Sequence, residues 1–458
     1  MSEPLSQPST DSSPLGTDPQ SIERLKTIIS DTLETARKLG ASAAEAAVTS
    51  SSGLSLNVRL GEVETIEHTR DKGIGISVFF GQSKGSASST DFSPQALHET
   101  VQSACRIARY TSADDCSGLA DADRMATSFP DLGLHHPWQP STETVIDLAT
   151  RTEAAALEVD SRINNSEGAA VGHQQGLYVY GNSHGFVGAN PSTRHSISCT
   201  VIASDDSGMQ RDYWYSMNRN PDLLEAGEDI GRHAAARTLR RLGARKPKTC
   251  TTPVLYSAEV ARGLFQHLTS AVSGSSQYRK ASFLLDHQGQ QIFPSFMHIH
   301  EQPHLLGALG SASFDGEGVA TQARDLITDG VLQGYVLDSY SARKLGLSTT
   351  GNAGGVHNLC IDPTAGDLSS LIKTMHQGLL ITELMGFGIN MVTGDYSRGA
   401  SGFWVENGEI SYPVDEITVA GNLKEMFSNI QAIGNDIDER GNIRTGSVLL
   451  EQLTVAGN

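Results

Sequence analysis

The sequence predicts an α+β protein of more than one domain, and three observations carry that reading. At 458 residues the chain exceeds what a single hydrophobic core ordinarily spans, so two or three domains are expected. Its 46 glycines imply many tight turns. The stretch from Thr393 to Gly421 has a strong hairpin signature: Phe403, Trp404 and Val405 lead into Asn407-Gly408, and Ile410 and Tyr412 lead away. Asn-Gly tolerates the two positive φ angles of a type I′ turn. Pro413 lacks an N–H, so it is expected to close the second strand or to place it at an edge. Val414, Ile417 and Val419 then begin another extended run.

Composition bounds the function. A formal charge of −18 argues against a nucleic-acid partner, which would need a basic face. No run approaches the apolar length of a membrane span. Residues 1–20 have neither a basic nor an apolar signal region and are expected to be a disordered tail. Five dispersed cysteines without a CxxC pair suggest reduced thiols in a cytoplasm.

Three segments follow the tail: an α+β subdomain over 21–125, a second over 126–245, and a sheet-rich domain over 246–458, with KPKTCTTP as the boundary. In the first, a helix runs from Ser21 to near Gly40. Strands follow over Ala46–Val58, around Val63–Ile66 and over Ile74–Phe80, then a helix from Pro94 to about Tyr110. Gly73 and Gly75 resemble half of a dinucleotide fingerprint, but no helix opens after them. In the second, helices are expected over Thr142–Asp160 and Pro221–Gly243, around short strands at Gly176–Tyr180, Ser196–Ala203 and Gln210–Tyr215. The basic end of the latter helix (Arg237, Arg240, Arg241, Arg245, Lys246) suits a helix C-terminus or, more sharply, an acidic partner.

In the third, a strand at Val254–Tyr256 precedes a helix over Ser257–Ser273 that Gly274 should end. Strands at Ser282–Leu285 and Gln291–Phe293, a hairpin at Asp329-Gly330 and a helix over Ser339–Leu345 follow. Beyond the glycine-rich loop TTGNAGG come a helix at Leu368–Met375, strands at Leu379–Met385 and Ile389–Val392, a helix around Leu423–Ala432 and a last strand at Val448–Val455.

The sharpest local motif is His300-Glu301-Gln302-Pro303-His304, which satisfies H-E-x-x-H. Two histidines four apart bind one zinc only on a helix. Pro303 opposes that helix, and Phe296 to His300 alternates like a strand. A looser set of His298, His300 and His304 stays open, because strand residues two apart share a face; polar residues on a solvated strand are the simpler account. Asp315, Glu317 and Asp325 form a candidate carboxylate cluster, although FDGEG reads first as a glycine turn. His135-His136 and Ser183-His184 fit an exposed linker and a turn.

Several longer stretches resemble the TldD/PmbA family in its PmbA-type (TldE-type) branch. They are Gly176–Phe186, Ser282–Asp286, Phe314–Gly318, Ser339–Gly346, Thr350–Gly355, the Trp404 hairpin and Ala432–Asp438. The resemblance spans nearly all of the chain beyond the tail. It implies the family fold, with a C-terminal domain of mixed and antiparallel sheets flanked by helices. It also implies a cytoplasmic heterodimer of TldD-type and PmbA-type subunits, acting on unfolded peptides and on the precursor of a modified peptide antibiotic. In that family the TldD-type partner holds zinc through an H-E-A-V-G-H helix and a late cysteine.

Mapped onto this chain, Phe265 and Ser270 stand at the histidine positions and Gln266 at the glutamate. His267 has no helical partner ligand, and no cysteine follows Asp436. The resemblance therefore implies that the chain holds no zinc and does no catalysis, the metal lying on the partner; independently of it, an edge strand can capture an extended peptide by main-chain pairing. The competing readings are an autonomous metallopeptidase using His300, Glu301 and His304, and a regulatory binding protein.

Overall fold

The computed structural model describes residues 17–457. Most of the expected tail, 1–16, lies outside the described residues. Its last residues are structured instead: the Asp18 carboxylate accepts the Gln20 and Ser21 amides and caps a helix, α1 (Pro19–Lys38).

The N-terminal half is built on β1 (Ala43–Arg59), β2 (Glu62–Phe80), β3 (Ser83–Ser89), α2 (Pro94–Tyr110), α3 (Thr142–Leu157), β4 (Ile163–Asn182), β5 (Val187–Asp205), β6 (Gly208–Asn218) and α4 (Gly227–Arg240). Its six strands form one antiparallel sheet in the order β3-β2-β1-β4-β5-β6. Where two strands were expected over 63–80 there is one, because β2 pairs with β1 along its length even where its side chains are exposed. β4 and β5 likewise outrun the short apolar stretches that announced them. β1 bonds to both β2 and β4, so a single sheet bridges segments 21–125 and 126–245.

Two cores lie under it. Leu25, Ile29, Val48, Ile76 and Val101 pack beneath α1 and α2, and Val145, Val171, Cys199 and Ile230 beneath α3 and α4. At Gly231 an added Cβ would lie 2.1 Å from the Thr152 carbonyl, so glycine is what lets α3 and α4 approach. α4 starts at Gly227 rather than Pro221, because Pro221–Leu223 forms its own 3-10 turn.

The C-terminal half contains β7 (Cys250–Tyr256), α5 (Ala258–Ala271), α6 (Gly274–Tyr278), β8 (Ile299–Glu301), β9 (Arg324–Thr328), β10 (Val331–Leu332), α7 (Ser339–Leu345), β11 (Leu359–Ile361), α8 (Leu368–Met375), β12 (Gly378–Met385), β13 (Asp395–Glu406), β14 (Glu409–Asn422), α9 (Leu423–Ser428), β15 (Ile430–Ile433), β16 (Ile443–Arg444) and β17 (Val448–Ala456). One sheet runs β10-β9-β8-β11-β16 and the other β14-β13-β12-β7-β17-β15; both are mixed. A further pairing of Thr418–Ala420 with Thr454–Ala456 joins β14 to β17 and closes five strands into a ring. The fold is α+β, as the sequence predicts.

The Asn407-Gly408 turn has φ of 54° and 76°, as a type I′ hairpin requires. Pro413 does not end the strand. β14 continues through it, and the Pro413 carbonyl accepts the Arg245 amide at 3.0 Å. With β17 alongside as well, this edge is largely occupied.

Other expectations are corrected. Ser282–Leu285 is not a strand, because the Ser282 hydroxyl turns back to the Ala271 carbonyl and takes the Leu284 amide. Ile389 and Gln291 make single bridges only. Gly274 starts α6 rather than stopping α5, and its small size admits Ser341, whose Oγ would lie 2.1 Å from an added Cβ. The helix after Asn422 stops at Ser428, and β15 takes up Ile430–Ile433.

Candidate functional site

The H-E-x-x-H residues lie on β8 and the turn after it, not on a helix. Strand alternation sends the His300 and Glu301 side chains to opposite faces. Glu301 is 2% exposed; it pairs with Arg324 Nε at 2.8 Å and accepts Asn352 Nδ2 at 2.7 Å and the His357 amide at 2.5 Å. On the other face, Asp362 bridges His300 Nε2 at 3.0 Å and His298 Nδ1 at 2.9 Å, and His298 Nε2 meets Asp325 at 3.0 Å. Burial lowers the His298 pKa, but its hydrogen bonds to Asp325 and Asp362 outweigh that and raise it above its ordinary value. His304 Nε2 is bonded to Thr321 Oγ1 at 3.1 Å. The three H-E-x-x-H side chains thus do not face one point.

The carboxylate cluster is also dispersed. Asp315, 3% exposed, binds the amides of Glu317, Val319 and Ala353, and Glu317 accepts the Ser339 amide, while Asp325 belongs to the histidine face. His135 and His136 are half-buried rather than exposed, bonded to Thr17 Oγ1 and the Gly133 carbonyl.

On α5, Phe265 is fully buried with its ring 6.5 Å from that of Phe293. Gln266 is exposed, and the Ser270 hydroxyl donates to the Gln266 carbonyl at 2.9 Å. A phenyl ring, an amide and a back-bonded hydroxyl do not fit the zinc that the resemblance would place on this helix. His267 lies edge-on to Tyr396, its pKa lowered by burial and then by Arg398. Among the described residues, no three His, Cys, Asp or Glu side chains are poised on one point.

The start of α5 and the loop after Asp436 meet elsewhere. With β6, α4, β12 and the Trp404 hairpin they enclose a cavity of about 510 Å³ between the two halves of the chain. Arg237 reaches Glu259 at 2.9 Å and Asp212 at 3.4 Å. Arg241 reaches Glu383 at 2.6 Å and donates to Ser401 at 2.8 Å. Arg440 pairs with Asp438 at 2.8 Å and donates to the Tyr215 carbonyl at 2.9 Å. Burial pushes the Asp438 carboxyl up, yet Arg440 holds it below the usual range.

Trp214 lies between cations, with Arg440 4.4 Å and Arg237 5.2 Å from its ring, and His233 stacks on it at 4.0 Å. Arg240 sits 4.7 Å over Phe403. The basic end of α4 therefore meets acidic partners inside the chain itself. Asp212, Glu259, Glu383 and Asp438 are all held by arginine, which leaves none of them free as a general base. Aromatic faces and an outer strand, β6, line this cavity.

Comparison with known proteins places this architecture. Family models for the PmbA/TldA metallopeptidase match residues 44–108 (domain 1), 135–242 (central domain) and 249–457 (C-terminal domain). The chain is 50% identical over 439 residues to Metalloprotease PmbA of Escherichia coli O157:H7, covering 95% of this chain and 98% of that one. The chain belongs to the TldD/PmbA family.

Within the family, a TldD homolog of Buchnera aphidicola is 24% identical, with 84% of this chain and 87% of that protein covered. The crystal structure of TldE from Thermococcus kodakarensis superimposes with a TM-score of 0.80 at 21% identity, over 94% of this chain and all of that one. A Bacteroides thetaiotaomicron crystal structure superimposes with a TM-score of 0.90 at 29% identity, covering 95% and 99%. None of the helices described here is long and apolar enough to cross a membrane.

Proposed function

We propose that this chain is the PmbA-type subunit of a two-subunit, zinc-dependent peptidase of the cytoplasm, acting on extended or unfolded peptides and on peptide-antibiotic precursors. A TldD-type subunit would supply the metal, and this chain a wall of the peptide path. The observation that carries the proposal is the contrast on α5: its metal-helix positions hold Phe265, Gln266 and Ser270, while its first turn borders a cavity lined by aromatic rings and satisfied ion pairs. For peptide capture β6 is the candidate edge, because it ends its sheet and borders that cavity, with its Tyr215 carbonyl already bonded to Arg440. Zinc held by a partner would activate the hydrolytic water; this chain's own residues would bind and align the backbone.

The word metalloprotease in the names of its relatives favours a second reading, an autonomous peptidase. Mixing the chain with a TldD-type subunit and following cleavage of an unfolded peptide separates the two. Cleavage only in the mixture supports the proposal, and cleavage by this chain alone overturns it.

A further inference from the structure

A second cavity, of about 650 Å³, lies where β4 and β5 meet the loops at 309–311 and 353–357 and the 440–442 turn. In a chain of net charge −18 its composition is unexpected: Arg194, Arg219, Arg440 and His357 line it, and no Asp or Glu does.

Arg440 already has Asp438, but Arg194 and Arg219 have no salt-bridge partner among the described residues. Arg219 is 9% exposed and gives its N–H groups to the carbonyls of Leu309 at 2.7 Å, Ala308 at 3.1 Å and Thr193 at 3.3 Å. Those bonds satisfy three of its five donors and none of its charge. Burial, and then Arg194, depress its pKa, as an uncompensated cation requires. Arg194 is exposed beside it, without an acidic partner among the described residues. The Nδ1 of His357 meets the Gly310 carbonyl at 3.3 Å, and its Nε2 is buried without a hydrogen-bond partner among the described residues.

The opposite wall is glycine-rich. Gly354 and Gly355 adopt φ of 105° and 119°, and an added Cβ at either would meet open space, so a ligand can come against bare backbone. The loop is held in place by buried acids: Glu301 takes Asn352 and the His357 amide, and Asp315 takes the Ala353 amide.

Unpaired buried cations are costly unless a ligand completes them, and the guanidinium fork matches a planar oxyanion. We infer that this cavity recognises the free carboxylate of a bound peptide, with Arg194 and Arg219 as its cationic wall and the Gly354-Gly355 backbone as its floor. The inference rests on the peptide-binding reading above. It also fits the path, because Arg440 lines both cavities and joins the carboxylate end to the aromatic channel.

The test is calorimetric titration of the full chain with a short unstructured peptide, its C-terminally amidated twin, and inorganic phosphate, repeated on Arg194→Gln. Arg194 is exposed and has no ion pair among the described residues, so this variant should stay folded. The free acid should bind roughly tenfold or more tightly than the amide, as a lost charged hydrogen bond predicts, and Arg194→Gln should bring the two together. Equal binding of acid and amide to the native chain overturns the inference and leaves peptide binding standing. Binding of neither peptide removes the peptide reading as well. Phosphate binding as tightly as the peptide acid would overturn the inference by assigning the well to phosphate.

Discussion

β8 and the cavity beside the start of α5 make opposite impressions in sequence and in space. β8 and the turn after it spell a metal motif, yet its histidines and glutamate are occupied: Glu301 by Arg324, Asn352 and the His357 amide, His300 by Asp362, His304 by Thr321. The cavity spells nothing in the sequence. Its residues come from β6, α4, α5, β12, the hairpin and the loop after Asp436, and they meet only in the fold. A motif depends on the element that carries it: i and i+4 share a face on a helix, whereas neighbouring residues part on a strand.

If β8 is structural and the cavity functional, substitutions in the two should separate stability from binding. Arg324→Ala strips a buried carboxylate of its partner and should cost about 3–5 kcal/mol in urea unfolding. A cost near zero would mean that Glu301 is available for other work. In the sheet behind the cavity, Gly402→Ala places a Cβ 1.9 Å from the carbonyl of Leu380, between β12 and β13. Such overpacking should cost about 1–3 kcal/mol, read as a lower unfolding midpoint. At the cavity rim, exposed Arg240 packs on Phe403, so Arg240→Ala should cost less than about 1 kcal/mol while weakening peptide binding severalfold in titration.

The smallest effect is expected on the histidine face. The pKa of His298 is raised above its ordinary 6.5 by its aspartate partners, once their bonds outweigh burial. Its contribution is therefore complete below pH 6.5 and fades as pH rises through the higher folded-state value. Native minus His298→Gln stability should be positive at pH about 5.5 and shrink by pH about 8, staying under about 1 kcal/mol because the groups are partly exposed. A difference that grows with pH would contradict the assignment.

Much of the fold was legible in the sequence. α2, α7 and α8 begin and end where Pro94, Ser339 and Leu368 announce them, and Asn407-Gly408 makes the turn that its residues demand. The long strands were not, because β2, β4 and β5 continue through polar and glycine-rich stretches held by neighbouring strands rather than by apolar alternation. The expectation that Phe265, Gln266 and Ser270 stand at metal-helix positions came from the family resemblance alone. The cavities were not legible, since no short-range pattern links Trp214 to Arg440 or Arg194 to His357. The one available signal was the basic run at the end of α4, whose acids proved to be internal.

Zinc content tests the central claim, that this chain builds a peptide path without holding the metal. The purified chain, equilibrated with excess zinc and then desalted, should retain far less than one equivalent, and His300→Ala should not change that amount. One tightly held equivalent that disappears in His300→Ala would contradict the account and return the chemistry to β8.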